Sequence, residues 1–183
     1  MLNTKFSSWP AFTNEEADAV RDVVKSNKVN YWTGKECRKF EKKFASWSES
    51  QYAVALGNGT LALDVALKAL NISDGDEVVV TSRTFIATIS SIVNSGAVPI
   101  FADVDLSSQN TTPKTIRPVI TGKTKAIVCV HLAGRPCDMD EIMAIANEYD
   151  LYVIEDCAQA HGAKYKGKSV GSIGHIGCWS FCQ

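Results

Sequence analysis

Five short stretches of this chain are apolar at successive positions rather than alternate ones: Tyr52–Leu56, Val78–Val80, Val98–Phe101, Ala126–Val130 and Leu151–Ile154. A strand with one wet face alternates apolar and polar residues, whereas a strand apolar throughout is covered on both faces. Helical stretches lie between these runs, at Thr60–Leu70, Phe85–Asn94, about Pro113–Ile120, and Asp138–Tyr149. Strands alternating with helices predict an α/β domain built on a parallel sheet. Two further helices precede the first run. Thr13 with Glu15 and Glu16 reads as a capping box opening a helix to about Asn27, with Ala17, Val20, Val23 and Val24 on one face. The second, about Glu36–Trp47, spaces Cys37, Phe40, Phe44 and Trp47 by three and four. Residues before about Asn30 read as an N-terminal extension of one domain, and no internal repeat, low-complexity tract or linker interrupts the rest.

Composition narrows the function classes. Lys and Arg total 19 against 20 Asp and Glu, a formal charge of −1 without a basic cluster, which excludes the electrostatic footprint of a nucleic-acid binder. At 45% hydrophobic and 21% charged, the chain is neither disordered nor a coiled coil. None of the six cysteines forms a C-x-x-C pair, and Cys129 and Cys157 lie in or just after apolar runs. That pattern reads as reduced, mostly buried thiols rather than a disulfide framework or a zinc site. The residues after Met1 lack a signal-peptide core, and no stretch reaches the ~18 apolar residues of a membrane span. A soluble, cytoplasmic protein is expected. The closing run Cys178–Gln183 reads as a strand just beginning, which predicts a fragment of a longer protein.

Ligands of open α/β sheets bind beyond the carboxyl ends of the strands. After Tyr52–Leu56 comes Gly57-Asn58-Gly59-Thr60, a turn whose glycines and helix N-terminal amides suit an anion. It also reads as a plain capped turn, or as the G-x-G-x-x-A of a dinucleotide site. The last wants an acid at the end of the next strand, about 20 residues on; Asp76 and Glu77 precede that strand instead. Phe85, just past Val78–Val80, is either core or a stacking platform. Glu155 and Asp156 follow Leu151–Ile154 and face opposite sides, so one acid is aimed into the crevice while the other pairs elsewhere. A metal, a loop or a buried cation could each occupy the crevice acid. His131 and His161 also follow strands and read first as satisfied buried histidines. Ser180, alternating with Cys178 and Cys182 on one face of the final run, is a tolerated small polar residue or a donor to a ligand.

Taken in order, Tyr31–Gly34, Gly57–Leu63, Gly75–Val78, Thr84–Thr88, Phe101–Asp105, Val130–Gly134, Met139-Asp140, Glu155–Gly162 and Gly177–Phe181 resemble the pyridoxal 5′-phosphate (PLP)-dependent nucleotide-sugar aminotransferases of the DegT/StrS family. The resemblance runs from about residue 9 to 183. It implies a three-layer sandwich around a mostly parallel sheet, the large domain of the aspartate-aminotransferase (type I) fold. Residues 1–183 would be an N-terminal extension plus most of that domain, without the C-terminal small domain. It further implies that Gly59, Thr60 and Ser180 hold the cofactor phosphate. Phe85 would stack on the pyridine ring, Asp156 pair with the ring nitrogen, and Gln159 contact the ring or its 3-hydroxyl. The family's Schiff-base lysine falls just beyond Gln183, so no catalytic residue is assigned within this chain, which on its own is expected not to transaminate. The implied reaction moves an amino group, from glutamate as the expected donor, to a keto-sugar nucleotide for amino-sugar or cell-surface polysaccharide (lipopolysaccharide) synthesis, in a homodimer. A pyridoxamine-dependent dehydratase of the same family, with histidine for lysine, and a non-catalytic PLP-binding fragment are the alternatives.

Overall fold

The computed structural model describes residues 10–181. Helix α1 (Asn14–Lys25) opens on the expected capping box: the Glu16 N–H donates to Thr13 Oγ1 at 3.2 Å, and the Thr13 N–H donates to Glu16 Oε2 at 2.7 Å. None of its residues is buried. Helix α2 (Glu36–Trp47) carries an aromatic ladder, with ring centroids 5.4 Å apart for Phe40–Phe44 and 5.2 Å for Phe44–Trp47. Helix α3 (Gly59–Ala69) is capped by the Asn58 side chain, which accepts from the Leu61 N–H at 2.9 Å.

The remaining elements alternate: β1 (Glu77–Thr81), α4 (Ile86–Asn94), β2 (Val98–Ala102), α5 (Pro113–Ile116) with a 3₁₀ turn over Arg117–Val119, β3 (Thr124–Val130), α6 (Met139–Tyr149) and β4 (Tyr152–Asp156). A small antiparallel hairpin, β5 (Lys164–Tyr165) and β6 (Lys168–Ser169), precedes β7 (Ile176–Cys178). The sheet runs β2-β1-β3-β4-β7, every neighbouring pair parallel. The strand order reverses direction at β1, from which the chain goes first to β2 and then to β3 on the other side.

Why the strands are apolar throughout is visible in the packing. Val78, Val80, Ala126, Val128 and Ile154 face one helical layer with Leu63, Leu67, Ala87 and Ile92 of α3 and α4. Val79, Ile127, Cys129 and Val153, the residues between them, face the other with Ile142, Ile145 and Ala146 of α6. Fully burying a Val, Leu or Ile side chain is worth ~1.5–3 kcal/mol, so this double-sided core dominates the fold's stability. The three-layer parallel architecture is as expected. Among the described residues no helix is long and apolar enough to cross a membrane.

Three expectations need correction. Tyr52–Leu56 pairs with no strand among the described residues; Tyr52 and Val54 are largely exposed, and the Ala55 N–H donates to the Glu41 carboxylate at 3.0 Å instead of to a ladder. The final strand ends at Cys178, so Ser180 lies beyond it rather than alternating along it; Cys182 lies outside the described residues. His161 is exposed rather than buried, and sits against the rings of Trp179 and Phe181 at 5.0 and 5.1 Å.

Candidate active site

Asp156 is the last residue of β4 and is buried at the carboxyl edge of the sheet. Its Oδ2 accepts from Thr88 Oγ1 at 2.8 Å and its Oδ1 from the Ala158 N–H at 3.2 Å. Thr84 Oγ1 lies 2.8 Å from Thr88 Oγ1. A hydroxyl has one hydrogen, and that of Thr88 goes to the carboxylate, so Thr84 is the donor of this second bond. Burial pushes the Asp156 carboxyl above the ordinary aspartate value, against the pull of the hydrogen bonds from Thr88 and Ala158. Among the described residues no ion pair involves Asp156. A carboxylate in that state suits a ligand that brings its own positive charge.

Glu155 points to the other side of the strand and is fully buried. Its Oε2 accepts from His131 Nε2 at 2.9 Å and the Gly171 N–H at 2.8 Å; its Oε1 accepts from the N–H groups of Ile173 and Gly174 at 2.8 and 2.6 Å. Burial pushes this carboxyl up, but the bonds from His131, Gly174 and Gly171 outweigh it and hold it below the usual glutamate value. For His131, burial lowers the pKa while Cys137 and Glu155 raise it, to about 9. A second ring proton would nevertheless have to sit at Nδ1, where the Cys137 N–H already donates at 3.1 Å. We therefore assign the neutral Nε2–H tautomer. His131, Glu155 and Cys157 stand close enough to share a metal ion. Both carboxylate oxygens and Nδ1 already receive N–H donors, so this donor set serves the fold.

The Gly57–Thr60 turn leads into α3. A Cβ on Gly59 would fall 2.7 Å from Ser180 Cβ and 3.1 Å from its Oγ, so the serine rests on the glycine backbone. Thr60 follows in the same first turn, and its carbonyl receives a long bond from Ser91 Oγ on α4 at 3.5 Å. Phe85 occupies the N-cap of α4 with 69% of its surface exposed, so the core reading of this ring is wrong. It stands one turn before Thr88. Gln159 Oε1 accepts from the Ala133 N–H at 2.8 Å, turning the donor end of its amide away from that loop. The fold thus joins Phe85 to Asp156 through Thr88, and Gly59 to Ser180 by direct contact. Two surface clefts, one including Glu41 and Gln51 and the other Asp64 and Lys68, contain none of Gly59, Thr60, Phe85, Asp156, Gln159 and Ser180.

Sequence reasoning passed over Thr84 and Thr88 as individual residues. Their signal was present: two hydroxyls four apart across the start of a helix, just beyond a buried strand.

A helix N-terminus, a buried acid and an exposed aromatic ring at one edge of a parallel sheet define a class: an α/β domain that cradles an anionic, aromatic, basic cofactor. The chain belongs to the DegT/DnrJ/EryC1/StrS aminotransferase family, whose sequence model matches residues 10–183. It is 47% identical over 172 residues to the GDP-perosamine synthase of Escherichia coli O157:H7, covering 94% of this chain and 47% of that protein. The aminotransferase from Psychrobacter cryohalolentis superposes with a TM-score of 0.96 at 70% identity, covering 98% of this chain and 45% of that one. The PLP form of the sugar aminotransferase Spr1654 from Streptococcus pneumoniae gives 0.87 at 29% identity, covering 94% and 47%. The chain spans about half the length of the curated relatives it matches. PLP is the cofactor of this family. The residues fit it: α3 opens at Gly59-Thr60 with first-turn backbone amides of the kind that suit a phosphate, and Asp156, buried with no ion pair among the described residues, suits a ring that carries a positive charge. The dinucleotide reading falls, since Asp76 stands before β1 and accepts from the Ser73 N–H at 3.0 Å.

Proposed function

We propose that residues 1–183 are an N-terminal extension plus most of the cofactor-binding domain of a PLP-dependent aminotransferase. The enzyme transfers an amino group from an amino acid, glutamate in the first instance, to a keto-sugar carried on a nucleotide. The observation that carries this reading is the buried Asp156 at the end of β4, fed by a two-hydroxyl chain and paired with no protein cation among the described residues. A relative named for a GDP-linked perosamine supports the substrate class.

When bound, PLP supplies an electron sink for charge developing at the amino acid's α-carbon. The chain's residues divide the remaining tasks. Asp156, ionised, holds a proton at the pyridine nitrogen, and Thr88 keeps its carboxylate oriented. The first-turn amides at Gly59 and Thr60 bind the phosphate, with the Ser180 hydroxyl beside them. Phe85, exposed at the N-cap of α4, would stack on the pyridine ring and shield it from water. Gln159 would contact the ring or its 3-hydroxyl. The lysine that completes the site is proposed to follow Gln183. Exposed apolar side chains such as Trp32, Tyr52, Val54 and Phe101 support a homodimer in which a second copy covers part of this surface. A cytoplasmic enzyme of amino-sugar or lipopolysaccharide synthesis fits this substrate.

The test uses the longer protein containing this chain. Wild type and Asp156→Ala are incubated with PLP, glutamate and a keto-sugar nucleotide, and the amino-sugar product is measured by mass spectrometry. Wild type is expected to turn over and Asp156→Ala to lose most activity. Near wild-type turnover in the variant removes Asp156 from the site, and a wild type that ignores PLP removes the proposal.

A further inference from the structure

The proposed chemistry leaves the second acid of β4 without a task. We propose that Glu155 is a positioning residue for the phosphate end of the cofactor site: it clasps the bend at Gly171–Gly174 so that Trp179 and Ser180 are held against Gly171 and Gly59. This rests on the PLP reading above.

A carboxylate presents about four acceptor positions. Glu155 fills four, three with backbone N–H groups of one bend and the fourth with His131. The bend is also packed without slack. Gly171 has φ +82°, and a Cβ there would lie 2.7 Å from Trp179 Cζ2, so the indole rests on the glycine. A Cβ on Gly177 would collide with the Gly171 carbonyl oxygen, so β7 passes directly over the same residue. A Cβ on Gly174 would lie 2.9 Å from the Val153 carbonyl oxygen, fixing the far side of the bend against β4.

From that anchored bend the contacts run outward in one direction. Trp179 is pinned between Gly171 and the rings of Phe44, Trp47 and His161, at 5.5, 5.6 and 5.0 Å. Ser180 is the next residue, and its Cβ occupies the space above Gly59. In the sheet Glu155 pairs with Gly177 and Asp156 with Cys178, so β4 also sets how far β7 extends past the crevice. One strand thereby positions both ends of the cofactor: Asp156 directly, Ser180 through the bend.

The test compares PLP with pyridoxal, which lacks the phosphate, as ligands of wild type and Glu155→Gln. Binding is read by quenching of tryptophan fluorescence, and amide hydrogen exchange is measured in parallel. The amide side chain keeps the shape of Glu155 but turns N–H groups on backbone donors, leaving buried donors unsatisfied. PLP affinity is expected to fall about tenfold or more while pyridoxal affinity holds. Exchange is expected to rise at residues 171–180 and to remain slow in α6. Equal loss of both ligands, or unchanged exchange at 171–180, overturns the proposal. Gly171→Ala leaves Glu155 intact but displaces Trp179, and should give the same split between ligands. Should Glu155→Gln fail to fold, an equal effect of Gly171→Ala on both ligands refutes the coupling. If wild type binds neither ligand, the PLP reading fails, and exchange alone decides whether Glu155 holds the bend.

Discussion

Gly59→Ala sets two effects against each other. At a helix position alanine is the better residue, by up to ~1 kcal/mol in the interior and by less in the first turn, where Gly59 stands. Against that gain, the new methyl would sit 2.7 Å from Ser180 Cβ, where carbon atoms pack best at about 3.5–4.0 Å. Ser180 cannot easily recede, because Trp179 beside it already rests on Gly171. Overpacking of this kind costs ~1–3 kcal/mol, so the clash wins by about 1–2 kcal/mol, a factor of roughly 5 to 30. The strain falls on the two groups assigned to the phosphate, so PLP affinity should drop by a similar factor. Fluorescence titration reads the affinity and urea denaturation the stability. In the double variant Gly59→Ala, Ser180→Gly the colliding Cβ is gone, and the stability loss should largely disappear. A Gly59→Ala protein as stable as wild type and binding PLP as tightly would refute the contact on which the phosphate site is built.

Asp156 carries a raised carboxyl in the folded chain, so it favours folding when protonated, and that contribution is lost as pH rises through its folded value. Wild-type stability in urea without cofactor should therefore decline as pH rises through that value, and Asp156→Asn should flatten this part of the profile; an identical pH profile in the variant would contradict the raised carboxyl. Thr88→Val removes the donor to Oδ2 while keeping the side chain's shape, so carboxyl-carbon NMR should show Asp156 titrating at still higher pH, with Thr88→Ser restoring it; an unmoved titration contradicts the hydroxyl chain. Ile145→Ala, in the fully buried face of α6, should cost ~2–5 kcal/mol in denaturant unfolding, whereas Val20→Ala on exposed α1 should stay within ~0.5 kcal/mol; comparable losses at both sites would mean α1 is packed.

The sheet was legible because Val78, Val79 and Val80 leave no polar face, and only a strand buried on both sides tolerates that. The same rule failed at Tyr52–Leu56. Five apolar residues state that a segment wants cover, but not whether a hydrogen-bonding neighbour is available, and here none is among the described residues. The opposed aims of Glu155 and Asp156 could be read from alternation alone. Their partners could not, since Thr88 is 68 residues from Asp156 in sequence, and a contact of that range leaves no local periodicity. His161 misled for a related reason: a histidine after a buried strand is usually enclosed, but the aromatic side chains beside it come from α2 and from beyond β7.

Placing two acids side by side on β4 makes the strand intolerant of slippage. A shift of one residue exchanges the faces of every side chain. Glutamate would then enter the crevice, and aspartate, one methylene shorter, would turn toward the bend and fall short of its amides. Most strands penalise a slip through lost apolar burial, but β4 is apolar on both faces and would lose little that way. The unequal reach of two otherwise similar carboxylates therefore acts as the gauge that tells this strand its own frame.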